Sequence, residues 1–320
     1  MAGTGSKVFK YGCGGCLGIL CLLLLVGLVV GGLAWKQSRD VDLAEDRIAP
    51  DLPAAGLSSP PAPAGSSVDT GGKAAESRPD RSRPTDAAGK VVLLLEGGGF
   101  EVKPAAPGEP IHLDASYDRN AYELQETLAE PEGGPWEYKV AFRQKNSGWF
   151  AMLRQMFSSV DPKVTVYLPA EIPLALDVKA NKGGMELELG DLWITEADMD
   201  LGMGGMVVSF SRPLKAPMER LRVRASMGGF AFRQLGNASP RNLELDLSMG
   251  GGDVDLEGRW VVDSDIHITS SMGGCNVRLP RDVVLEGLDR KGVVVSGKEE
   301  VRPPTLRFTV DGDPESIQFN

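Results

Sequence analysis

The chain of 320 residues carries 34 basic and 44 acidic side chains, a formal net charge of −10. Lys7, Lys10 and Lys36 place +3 on the first 36 residues, which leaves −13 on the other 284; this excludes a non-specific nucleic-acid binder, which needs a basic surface to neutralise phosphates. With 42% apolar residues the chain can bury a core, while 40 glycines and 22 prolines point to turns and linkers rather than long helices.

Residues 1–16 form a short tail. Cys13 and Cys16 have the spacing of a thiol redox pair or half a zinc site. No second pair and no βαβ pattern accompanies them, so small residues at the edge of a membrane span are the simpler reading. Leu20 stands before Cys21 where a lipoprotein acceptor would need a small residue.

Residues 17–35, LGILCLLLLVGLVVGGLAW, contain no charge. At 1.5 Å per residue they span about 28 Å, the thickness of a hydrocarbon core, and predict a transmembrane helix in the lipid bilayer. Trp35 and Lys36 follow as an interfacial anchor. Gly27 and Gly31 make a GxxxG through which two such helices would meet in a loose homodimer. The acid-free basic tail predicts a signal-anchor, with the N-terminus in the cytoplasm and the bulk of the chain outside. The rival is a cleaved signal peptide with Gly32 and Ala34 before the cut.

Residues 36–89 are rich in Pro, Ala, Ser and Gly and have no apolar period. They predict a flexible tether, because such a composition does not repay the entropy of ordering. From residue 90 to 162 short apolar or alternating runs between Gly/Pro turns predict strands. Within that part Trp149, Met152, Leu153, Met156 and Phe157 fall on one helical face, predicting a short amphipathic helix near 148–158. Packing over an end of the β-core is preferred for it to contact with a membrane or a partner.

The strongest signal is a repeat over residues 163–289. Gly-Gly pairs stand at Gly183-Gly184, Gly204-Gly205, Gly228-Gly229, Gly250-Gly251 and Gly273-Gly274, with spacings of 21, 24, 22 and 23 residues. A fixed period of this length means stacked units. Leu176 and Val178, Val223 and Ala225, Leu245 and Leu247 alternate before the pairs; Met185 and Leu187, Met206 and Val208, Phe230 and Phe232 alternate after them. A strand, a glycine corner and a second strand describe each unit, so the fold predicted is an all-β β-solenoid of about 22-residue coils, spaced by about 4.8 Å. Residues 290–320 supply closing strands.

Met203, Met227, Met249 and Met272 precede four of the pairs, and Lys182 precedes the first. Counted by twos, these methionines share the phase of the core residues and predict an inward ladder. A copper site of thioethers is the alternative. Cys275 is predicted to be a buried, inert thiol. The outward pairs Glu186/Glu188, Asp198/Asp200, Glu244/Asp246 and Asp253/Asp255 are acidic, and Arg222/Arg224 are basic. Carboxylate pairs suit glycan cleavage or calcium, but opposite charges on stacked strands explain them without a ligand. With His112 and His267 as the only histidines, no catalytic, metal or cofactor motif stands out.

The run KVTVYLPAEIPLALDVKANKGGMELEL, the repeated SMGG coils and SSMGGCNVRLPRDVVLEG resemble the toastrack, or putative-adhesin, β-solenoid family of bacterial cell envelopes, which includes Lia-type envelope-stress proteins. The likeness covers residues 91–320 and is clearest over 163–288. It implies a non-enzymatic, inner-membrane-anchored module that scaffolds or senses stress through an envelope protein partner, and it supplies no catalytic residue. A bactofilin-like filament and a glycan-binding or glycan-cleaving β-helix are the alternatives.

Overall fold

A computed structural model describes residues 42–50, 88–130, 135–145, 162–288, 302–312 and 316–320. The apolar run 17–35 with Gly27 and Gly31, and the amphipathic segment near 148–158, lie outside them. Among the described residues no helix is long and apolar enough to cross a membrane. The helical content there is one 3-10 turn, Leu235–Asn237.

The strands are β1 (Leu43–Ile48), β2 (Gly89–Pro104), β3 (His112–Asp118), β4 (Tyr122–Ala129), β5 (Trp136–Gln144), β6 (Lys163–Leu168) and β7 (Leu174–Glu188), followed by β8 (Ile194–Ser209), β9 (Arg220–Arg233), β10 (Asn242–Asp255), β11 (Ser264–Arg278), β12 (Val284–Glu286), β13 (Thr305–Gly312) and β14 (Ile317–Phe319). All fourteen belong to one sheet, so the fold is all-β.

Six long strands form its body. β2, β7, β8, β9, β10 and β11 pair parallel in that order. Each has a first leg and a second leg on either side of a glycine pair. The first legs bury Leu93, Val178, Met199, Val223, Leu245 and Ile268; the second legs bury Val102, Leu187, Val208, Phe232, Val254 and Val277. In-register pairing carries each inward position to the next strand, for example Met199 to Val223 to Leu245 to Ile268. The result is one continuous apolar cluster running the length of the stack.

Both ends are closed by shorter strands. On the N-terminal side β5 pairs with the first leg of β2 and β6 with its second leg, both parallel. Antiparallel strands then cover these: β4 lies on β5, β3 on β6, and β1 on β3. On the other side β13 and β14 pair with the two legs of β11, and β12 pairs with β13.

Two features differ from the sequence reading. Residues 43–48, inside the stretch read as tether, form β1. It needs one inward side chain, Ala44, and is fixed by Asp46, which accepts hydrogen bonds from Tyr117 Oη at 2.9 Å and Arg119 at 2.8 Å. Such an edge strand shows no apolar alternation to read. There is also a sixth glycine corner: Gly99 in β2 is in register with Gly184. The insertion of β3 to β6 separates it from the other five and breaks the period.

Candidate functional site

The glycine corner is where the chain departs from a plain pleated strand. The inward residues flanking it are five apart: Leu201 and Met206, Ala225 and Phe230, Ser270 and Cys275. Five is odd, so alternation cannot run through the corner, and one residue must be taken up by the bend. The first glycine of each pair does this. Gly183, Gly204, Gly228, Gly250 and Gly273 have φ from 112° to 137°. A Cβ on Gly228 would also run into the carbonyl oxygen of Gly204 on the neighbouring strand, so positive φ and close backbone approach both demand glycine there.

The second glycines are a different case. Gly184, Gly205, Gly229, Gly251 and Gly274 have no positive φ. A Cβ on Gly229 would meet nothing closer than the Gly251 oxygen at 3.9 Å, and around Gly184 and Gly274 there is open space. With Gly99 these residues floor a groove of about 1180 Å³ that crosses six strands. Glu101 and Lys163 stand at one end of it and Asn276 and Gln318 at the other.

The methionines overturn the inward-ladder expectation. Met203, Met227, Met249 and Met272 are 42%, 41%, 44% and 64% exposed. Each sits immediately before the positive-φ glycine, where the chain has left the alternation of the first leg. The inside of so sharp a bend has no room for a long side chain, and the flanking inward positions already fill it. All four therefore project outward, in register from strand to strand: Met203 beside Met227, Met227 beside Met249, Met249 beside Met272. Cys275, one residue past its glycine pair, is buried (2% exposed). Burial, and secondarily the charge of Asp253, push its thiol pKa up to about 12.

The outward charges of the first legs interlock. Arg222 and Arg224 of β9 lie in register between Asp198 and Asp200 of β8 and Glu244 and Asp246 of β10. Arg222 pairs with Glu244 at 3.1 Å, and Arg224 with Asp198 at 3.3 Å and Asp200 at 3.6 Å. On the second legs Asp255 pairs with Arg278 at 3.6 Å, and Asp253 accepts from Asn276 Nδ2 at 3.0 Å. Glu188 Oε1 accepts from the Gly190 and Ser211 amides at 2.9 and 3.1 Å. These carboxylates hold strands and turns together, which matches the surface reading rather than an acid–base pair. Among the described residues no three His, Cys, Asp or Glu side chains gather to hold a metal.

At the N-terminal end of the groove Glu101 receives Lys103 at 2.6 Å and Lys163 at 2.8 Å. The hydrogen bonds from Lys103 and then Lys163 hold its carboxyl below the usual carboxylate range, and burial opposes them. No sequence pattern signals this cluster, because Lys163 lies 62 positions from Glu101 and reaches it only through the pairing of β2 with β6.

No protein-family model matches the chain, and no curated protein matches it. Several solved structures are similar to it, three of them as follows. A "putative cell adhesion protein" of Clostridium sporogenes ATCC 15579 shares 13% identity over 74% of this chain and 94% of its own, with a TM-score of 0.36. A "putative adhesin" of Parabacteroides distasonis ATCC 8503 shares 10% over 88% and 98%, with a TM-score of 0.29. A "putative lipid binding protein" of the same organism shares 11% over 72% and 94%, with a TM-score of 0.18. At these TM-scores the likenesses carry no functional weight.

Proposed function

We propose that the chain is a non-enzymatic interaction module of the bacterial envelope: a β-solenoid held at the inner membrane by residues 17–35. The observation that carries this reading is the parallel stack itself. In-register strands with interlocked outward charges and a long glycine-floored groove present extended, repetitive surfaces suited to docking another protein. At least one member of each acidic pair that would have suggested glycan cleavage, Glu188, Asp198 and Asp200, Glu244, Asp253 and Asp255, is engaged with an arginine, an amide or an asparagine, which favours a structural use for them. Antiparallel β1, β3 and β4 cover the N-terminal end of the stack and disfavour a parallel head-to-tail filament.

The test is membrane topology of the full-length protein. Intact cells, opened to the periplasm where an outer membrane exists, are treated with a protease that the inner membrane excludes. Cleavage in intact cells between residues 51 and 87, read as a shortened C-terminal fragment, places the β-domain outside, as proposed. Full protection until lysis puts the domain in the cytoplasm and overturns the envelope reading.

A further inference from the structure

We infer that Met203, Met227, Met249 and Met272 form a thioether site for a soft monovalent cation, Cu(I) or its analogue Ag(I). The inward phase and the lack of a neighbouring His argued against this chemistry; the structure removes the first, because all four side chains are exposed, and a soft monovalent ion does not need the second.

The bend does not require methionine. Lys182 occupies the same place before Gly183, and the conformational demand falls on the glycine that follows. Four exposed thioethers in successive strands therefore serve nothing inside the fold, and each leaves an apolar side chain in water.

Their arrangement suits a shared ion. Parallel neighbours stand about 4.8 Å apart, and the register pairs Met203–Met227, Met227–Met249 and Met249–Met272 are direct. The glycines after them have φ of 137°, 130°, 130° and 129°, and equivalent positions of in-register parallel strands send their side chains to the same face of the sheet. Three rotatable bonds let adjacent sulfurs turn toward one point. Two or three thioethers make a donor set with no charge and no hard oxygen, which selects Cu(I)-like ions over zinc, magnesium or calcium. Lys182 marks the Met203 end with a positive charge, so the preferred donors are Met227, Met249 and Met272. The net charge of −10 adds a general attraction for a cation.

The experiment uses the full-length protein with Cys13, Cys16 and Cys21 replaced by Ser, its methionine methyls labelled with carbon-13, and titrated with Ag(I). The expected result is a saturable shift of the Met227, Met249 and Met272 methyl signals, with Met203 following more weakly. The buried Met185, Met199, Met206 and Met218 should stay in place, and Zn(II) should move none of the corner methyls. Replacing Met227→Leu and Met249→Leu together keeps an apolar ridge of similar size but removes the sulfurs; the shift at Met272 should then be lost. Corner methyls that ignore Ag(I), or a Met272 shift that survives in the Leu variant, would overturn the site. Should the double variant not fold, the wild-type titration decides alone, because specific movement of the corner methyls is itself the prediction.

Discussion

The ring of Phe230 occupies the space that a side chain on Gly252 would need. The two residues are paired in register on β9 and β10, and a Cβ added to Gly252 would fall within the phenyl ring. Gly252 stands where the neighbouring strands carry Phe230 and Cys275 inward. The column past the corner therefore runs Met206, Phe230, Gly252, Cys275, with the largest member set against the smallest. This is local size matching rather than a backbone requirement, since Gly252 has no positive φ.

Gly252→Ala should accordingly destabilise the protein by about 1–3 kcal/mol through overpacking. Phe230→Leu alone should also destabilise it, but the double variant should be more stable than the sum of the two effects predicts. Denaturant unfolding of the four full-length proteins measures this. Additive effects would mean that the ring does not use the Gly252 space.

The two glycines of a pair should respond differently to the same substitution. Gly228→Ala meets both a positive φ and the Gly204 carbonyl oxygen, and should cost roughly 2 kcal/mol or more. Gly229→Ala places its methyl in the groove and should stay within about 0.5 kcal/mol of the parent. Thermal unfolding compares them directly; equal losses would contradict the corner geometry.

Cys275 should resist alkylation in the folded protein at pH 8 and react at the rate of a free thiol once unfolded. Its pKa near 12 leaves almost no thiolate, and its burial denies access. Mass spectrometry after iodoacetamide treatment of the protein lacking Cys13, Cys16 and Cys21 reads the modification at one residue. Rapid labelling without denaturant would place Cys275 at the surface.

Glu101 gives a pH signature. Its folded pKa is depressed by Lys103 and Lys163, so its contribution to stability is in force above the unfolded value of about 4.3 and is lost as the pH falls through the folded value. Glu101→Gln should therefore melt below the parent at neutral pH, with the gap narrowing as the pH is lowered beneath about 4. A gap that persists undiminished in acid would assign the effect to something other than the charge.

The repeat was legible because five glycine pairs fall at near-constant spacing, and the alternation on each leg marked Val223, Leu245 and Ile268 as core. The place of the parity break was not legible. The alternation after the glycines put Met206 inside, and counting by twos from Leu201 put Met203 inside as well, whereas a bend that absorbs one residue turns Met203 out. Gly98 and Gly99 were hidden by the strands inserted between β2 and β7. β1 was hidden because LAEDRI is placed by its antiparallel ladder with β3 and by the Asp46–Arg119 contact, whose partners are distant in sequence. The charge ladders were visible as residue types, but the engagement of particular acids depended on register, which only the folded stack defines.

Cross-linking at the corner tests the outward, in-register stack most directly. In the background lacking Cys13, Cys16 and Cys21, paired variants Met227→Cys with Met249→Cys, and Met203→Cys with Met249→Cys, are exposed to mild oxidation. Adjacent parallel strands about 4.8 Å apart lie within the Cα separation that a disulfide spans, and strands two rungs apart do not. The 227–249 pair should form a disulfide in the folded protein while the 203–249 pair remains reduced. A 227–249 pair that stays inert until the protein unfolds, or a 203–249 pair that closes as readily, would contradict the stack.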